Sequence, residues 1–133
     1  MVLLYPLPRQ LPETRIMDNK PGFTTAVPQK RYQVGEYQAT ILGDIESSDG
    51  REYRYILAMI VDGSHEPKLY VTVERNRDRN EPGKWLMRVM GHKLNETVGA
   101  SDQWQDINQF TASSLNVAMQ LLALTDEIPA LLS

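Results

Sequence analysis

From Tyr37 onward, apolar and polar positions alternate with a period of two. Tyr37, Ala39, Ile41, Gly43 and Ile45 interleave with Gln38, Thr40, Leu42 and Asp44, which is a strand pattern. Ser47-Ser48-Asp49-Gly50 closes it with a turn signal, because glycine supplies positive φ and aspartate tolerates it. Tyr53–Val61 is a second apolar run, ending at Asp62-Gly63-Ser64. Leu69–Arg75 and Trp85–Met90 are the third and fourth runs. Four consecutive runs separated by turn clusters predict an antiparallel meander, with Lys93–Val98 as a fifth short strand. Val34 and Glu36 extend the first strand backwards across a bulge at Gly35. After a polar stretch, Phe110–Leu115 predicts a helix start with Thr111 as N-cap and Phe110 and Leu115 as a hydrophobic staple. A first turn over Asp106–Phe110 is the alternative start. The run of Leu, Ala, Met and Gln carries the helix to about Leu124, and Thr125-Asp126-Glu127 predicts the cap of a last short turn with Pro129 early in it. The fold class is therefore α+β: a four- or five-stranded antiparallel meander with a C-terminal helix packed on one face.

Residues 1–30 hold five of the eight prolines. Proline removes backbone donors and holds its neighbours extended, so this stretch predicts an arm without helix or regular sheet. The arm also carries Leu3, Leu4, Tyr5, Leu7, Leu11, Ile16, Met17 and Phe23. A free linker has no need of them, so the arm is expected to lie across the domain or a neighbouring subunit. The chain then reads as a 1–30 arm and a single 31–133 domain, with sheet over 31–98 and helix over about 111–125.

Alternation also assigns faces. Tyr53, Tyr55, Leu57, Met59 and Val61 fall on one face of the second run, with Leu69, Val71 and Val73 of the third and Trp85, Met87 and Val89 of the fourth. The opposite face still shows Ile56, Ile60, Leu86 and Met90. That is more apolar surface than a monomer leaves wet, so these four residues predict an interface, expected to be a homodimer helped by the arm.

The totals narrow the function. A chain of 133 residues with 41% apolar and 23% charged side chains forms one folded domain rather than a disordered segment. With no cysteine, it has no disulfide, thiolate metal site or cysteine nucleophile. No apolar run approaches the roughly 18 residues of a membrane span, and no signal peptide is evident, so no membrane role and a cytoplasmic location are expected. Catalysis has little to build on. His65 lies in a turn and His92 follows a strand, with no positioned third partner for either. Asp44, Glu46 and Asp49 cluster at a hairpin end but lack the spacing of a calcium loop. No enzymatic activity, cofactor or metal is expected.

Charge is unevenly placed. Net charge is −3 overall, yet residues 68–93 carry seven basic and three acidic side chains, and residues 94–133 carry five acidic and no basic ones. Arg75, Arg77 and Arg79 alternate through the hairpin loop, Lys84 and Arg88 follow, and Tyr70 stands near. Cations that track phosphates beside a ring that stacks on bases suit single-stranded nucleic acid or another polyanion. On the competing reading, Glu74, Asp78 and Glu81 pair with those arginines, and the loop serves only to solubilise and protect a sheet edge.

The stretch LYVTVERNRDRN…GKWLMRV, Leu69–Val89, resembles the PUR-repeat pattern of a strand ending in Glu-Asn-basic residues, a glycine turn and a strand with a basic residue. Strands followed by a helix also resemble the unit of the PC4 and Whirly proteins. The resemblance implies dimers that bind single-stranded DNA or RNA. Two features depart from it: the turn from Asp78 to Gly83 is longer, and about 20 residues separate Met90 from Phe110. The leading expectation is a small binding protein engaging single-stranded nucleic acid or another polyanion through the basic hairpin. The alternative is a protein-interaction or assembly module using the apolar sheet face.

Overall fold

The computed structural model describes residues 19–78 and 82–133; most of the expected arm, and Arg79 of the basic loop, lie outside them. Six strands follow one another: β1 (Phe23–Val34), β2 (Tyr37–Ser47), β3 (Tyr53–Val61), β4 (Pro67–Arg75), β5 (Trp85–Gly91) and β6 (Leu94–Ser101). A 3-10 turn (Asp102–Gln105) leads into the helix α1 (Ile107–Leu121), and the chain closes with β7 (Ala130–Leu131). The seven strands form one antiparallel sheet in the order β6-β5-β4-β3-β2-β1-β7. The α+β class with a C-terminal helix on an antiparallel sheet is therefore found, with seven strands where four or five were expected.

The added strands have local causes. β1 begins inside the 1–30 stretch read as an arm without regular sheet and runs past its end to Val34. Pro28 sits there because β1 is near the sheet edge: it pairs with Leu42 of β2 on one side, and β7 reaches only Tyr32 and Gln33 on the other. Gly35 marks a hairpin turn rather than a bulge. Val34 opposes Tyr37, and Gly35 takes φ of +57° in the two-residue loop between them. Thr125–Glu127 does not start a helical turn; beyond Pro129 the chain extends as β7 instead.

The helix begins at the alternative position. Asp106 is the N-cap and accepts from the Gln109 N–H at 3.0 Å. Thr111, expected as the cap, lies inside the helix, where its hydroxyl donates to the Ile107 carbonyl at 2.7 Å. Phe110, expected in a staple, is fully buried and stacks on Tyr55 with ring centroids 5.4 Å apart. With Leu115 and Ala118 it covers Leu57, Met59, Val71, Val73, Met87 and Val89, the main core. The helix thus covers one face of the sheet, and that face follows the predicted alternation except at Tyr53.

A bulge in β3 sends Tyr53 the other way. Tyr55 opposes Val73 but Tyr53 opposes Glu74, so one extra residue separates the two pairs. Cross-strand partners share a face. The helix-free face therefore carries Tyr53, Ile56, Ala58, Tyr70, Thr72, Glu74, Leu86, Arg88 and Met90. Ile56 and Thr72 there have no exposed surface, and Met90 has 2%.

What covers part of this face can be read from the chain path. The Asn19 N–H donates to the Gly91 carbonyl at the end of β5, 3.3 Å away. The Gly22 N–H donates to Asp49 Oδ2 at 2.9 Å, and the Gly22 carbonyl accepts from Ser48 at 3.0 Å. Asp49 also accepts from the Tyr53 hydroxyl, and Tyr53 is on the helix-free face. Three peptide steps, at most about 11 Å, therefore run over this face from β5 to the β2–β3 turn, with Pro21 buried midway. Residues 19–22 act as a strap, and beyond Leu42–Ile56 the β1–β2 hairpin continues without β3 to meet it.

Because Phe110 fills the space between helix and sheet, Phe110→Ala should cost about 4 kcal/mol. Urea unfolding followed by tryptophan fluorescence should show the midpoint falling with an unchanged slope.

Candidate interaction surfaces

The basic hairpin does not present its cations together. The Arg75 guanidinium lies over the Trp85 ring, 4.9 Å from its centroid, and pairs with Glu52 at 3.5 Å. By register Arg75 and Trp85 are opposed on the helix side of the sheet. Arg88 points to the other side. Its Nε donates to Glu74 Oε1 at 3.1 Å and its Nη1 to Asn95 at 3.2 Å, and its side chain is 18% exposed. Arg51 reaches the same Glu74 oxygen at 3.6 Å. Glu74 is thus a buried acid between two guanidinium groups, with burial and charge-assisted hydrogen bonding in one place.

Tyr70 sits on the helix-free face with Arg88 and is half-buried. Burial, reinforced by the Glu66 carboxylate, pushes its phenol above the ordinary range, so it is no open platform for a base. Trp85 is 6% exposed, with one ring face taken by Arg75. Two of the expected cations point outward. Among the described residues, no hydrogen bond or ion pair holds the Arg77 guanidinium or the Lys84 ammonium; Lys84 is engaged through its backbone, its N–H donating to Asp102 at 2.7 Å and its carbonyl accepting from the Asn76 N–H at 2.8 Å. Of the expected polyanion set, then, Arg77 and Lys84 stand at the tip, Arg75 is on one face, Arg88 and Tyr70 are on the other, and Arg79 is outside the described residues.

The expected interface residues divide as well. Ile56 and Met90 are buried within the single chain and offer no surface, while Ile60 and Leu86 are half-buried. Ile60 floors a shallow cleft of about 230 Å³ at the β3–β4 turn, rimmed by Gln38, Asp62, Ser64 and His65. Asp62 there is engaged by the Gln33 amide at 3.0 and 3.2 Å.

The most exposed apolar side chains are elsewhere, ahead of Val27 at 48% and Val98 at 47%. Ile128 is 86% exposed, Leu131 65% and Leu132 52%, all on the segment around β7; Leu121, the last residue of α1, is 50% exposed. Backbone bonds hold this segment against β1: the Leu132 N–H to the Arg31 carbonyl at 2.8 Å and the Arg31 N–H to the Ser133 carbonyl at 3.1 Å. The late apolar run Ile128-Pro129-Ala130-Leu131-Leu132 was the available sequence signal, and the helical reading of Thr125–Glu127 obscured it.

No family model, curated protein or solved structure matches this chain. Among the described residues no helix is long and apolar enough to cross a membrane.

Two outcomes test the charge network. Glu74→Ala leaves Arg88 largely buried without its acid and should cost about 3 kcal/mol, whereas Glu74→Gln keeps an acceptor and should cost less; urea unfolding separates them. Asp49 has a different signature. Burial raises its pKa, but hydrogen bonds from Tyr53, Gly22, Arg51 and Ser47 outweigh that and hold it below the ordinary 3.8. A depressed folded pKa stabilises the fold above the unfolded value and ceases to as pH falls through the folded one. Asp49→Asn should therefore cost up to about 1 kcal/mol at pH 7, with the gap to wild type closing as pH drops below 3.8.

Proposed function

We propose that this chain is a protein-interaction or assembly module that binds through the C-terminal edge of its sheet. The carrying observation is the exposure of Ile128, Leu131 and Leu132 at 86%, 65% and 52% on and beside a two-residue edge strand. Apolar side chains held outward in a fixed conformation at a sheet edge favour contact with another protein surface. The reading keeps the interaction role expected from sequence but moves its surface from the helix-free face to β7. Ile56→Asp would accordingly report on folding rather than on binding.

The polyanion reading keeps one supporting observation, the outward Arg77 and Lys84. Two phosphate contacts on a single strand carry a salt slope of about −1.4, so affinity should fall only about sevenfold from 50 to 200 mM salt, against about 50-fold for four contacts.

The two readings separate with a photo-crosslinking residue at Leu131 in cells making the full chain, beside a single-stranded oligonucleotide titration at low salt. The interaction reading expects a crosslinked protein adduct that Leu132→Asp abolishes and that Arg77→Glu with Lys84→Glu leaves intact. The absence of any adduct, together with oligonucleotide binding lost on that charge reversal, would overturn it in favour of the polyanion reading.

A further inference from the structure

The end of α1 carries a conflict between sequence and conformation. The helix stops in a Schellman motif: the Leu124 N–H donates to the Met119 carbonyl at 2.7 Å, and the Ala123 N–H to the Gln120 carbonyl at 3.4 Å. The motif needs a left-handed residue at Ala123, and Ala123 takes φ of +57°. Glycine is the usual residue there, because a Cβ in that region crowds the following carbonyl. Leu121-Leu122-Ala123-Leu124 is instead a run of strong helix formers, and the weaker formers Thr125 and Asp126 come only after it. Local propensity asks for a helix continued to about Leu124, while the observed turn folds the tail back onto β1 of the same chain.

Beyond Leu124, which packs partly buried against the core, the tail gains little by folding back. Backbone bonds to Arg31 and the short ladder Tyr32–Leu131 and Gln33–Ala130 hold it, and Ile128, Leu131 and Leu132 stay exposed. The same ladder can be made with β1 of another molecule. A short connection under strain beside an edge strand that pairs equally well in trans favours exchange between copies.

We infer that the partner of the C-terminal edge is a second copy of this chain, and that the two exchange their tails. The helix continues through Ala123, and each Ala130–Leu131 pairs with Tyr32–Gln33 of the other molecule. The interface is continuous with the β1–β7 ladder already present, and the symmetric exchange brings both sets of exposed leucines to one junction. This rests on the interaction reading of the edge and supplies its occupant.

The chain has no cysteine, so a pair introduced at Gln33→Cys and Ala130→Cys reports the ladder alone. The full-length double variant is equilibrated over a range of concentrations, oxidised and run on a denaturing gel, and sedimentation gives the mass before oxidation. Exchange predicts covalent dimers whose share rises with concentration. Ala123→Gly, which relieves the left-handed position, should shift the equilibrium about tenfold toward monomer, and Ala123→Val about as far toward dimer. Crosslinks that remain within single chains at every concentration and in all three backgrounds would overturn exchange. If sedimentation then still shows dimers, or the Leu131 adduct has the mass of a different protein, the edge remains an interaction surface and only the exchange fails. Monomers with no adduct at all would remove both.

Discussion

One helix cannot cover two faces of a sheet, and the rest of this structure answers that constraint. α1 seals one side with Phe110, Leu115 and Ala118. The other side carries Ile56, Ala58 and Met90, which water would otherwise meet. The strap at 19–22 crosses it, tied to β5 through Asn19 and to the β2–β3 turn through Asp49. Asp49 is the shared anchor. Its carboxylate takes the Gly22 and Arg51 N–H groups and the Tyr53 hydroxyl, joining strap, turn and sheet at one point. Burying a polar face is costly unless its groups are paired, and here Arg51, Glu74, Arg88 and Asn95 form a connected set, beside a Thr72 hydroxyl that has no partner among the described residues.

This use of charge changes how the basic hairpin is understood. A cluster of arginines beside aromatic residues in sequence suggests a ligand surface. In the fold, strand alternation sends Arg75 and Arg88 to opposite sides of the sheet, and each meets an acid. Arg75 also shields Trp85, whose Nε1 has no hydrogen-bond partner among the described residues. Two cations of the basic stretch, Arg75 and Arg88, are thus engaged by acids of the fold, while Arg77 and Lys84 stay exposed at the tip.

The central strands were legible because burial on both sides of β3 and β4 gives short, nearly continuous apolar runs, and clear turn residues bound them. β1 was not, because Pro28 reads as a strand breaker unless its edge position is known. The face of Tyr53 was lost to a bulge, which leaves no mark in a period-two pattern. The helix start was ambiguous between Asp106 and Thr111 because both can cap; burial of Phe110 decided it. Its end was missed because tertiary pairing of β7 overrides a run of helix formers, and Ala123 holds the strain. Among the candidate site residues, the competing reading named Glu74 as a partner of the arginines, and Glu74 does meet Arg88; Glu52, which meets Arg75, was missed because it lies in the β2–β3 turn, far from Arg75 in sequence.

The claim on which the account turns is that the strap and the β2–β3 turn belong to the folded body and seal the helix-free face. Native-state amide hydrogen exchange, resolved by residue, tests it most directly. The account predicts that the Gly22 and Ser48 amides are strongly protected and open together with the central-strand amides of Leu57 and Val71. Exchange of Gly22 and Ser48 at the rate of an unstructured peptide, with Leu57 and Val71 still protected, would contradict it.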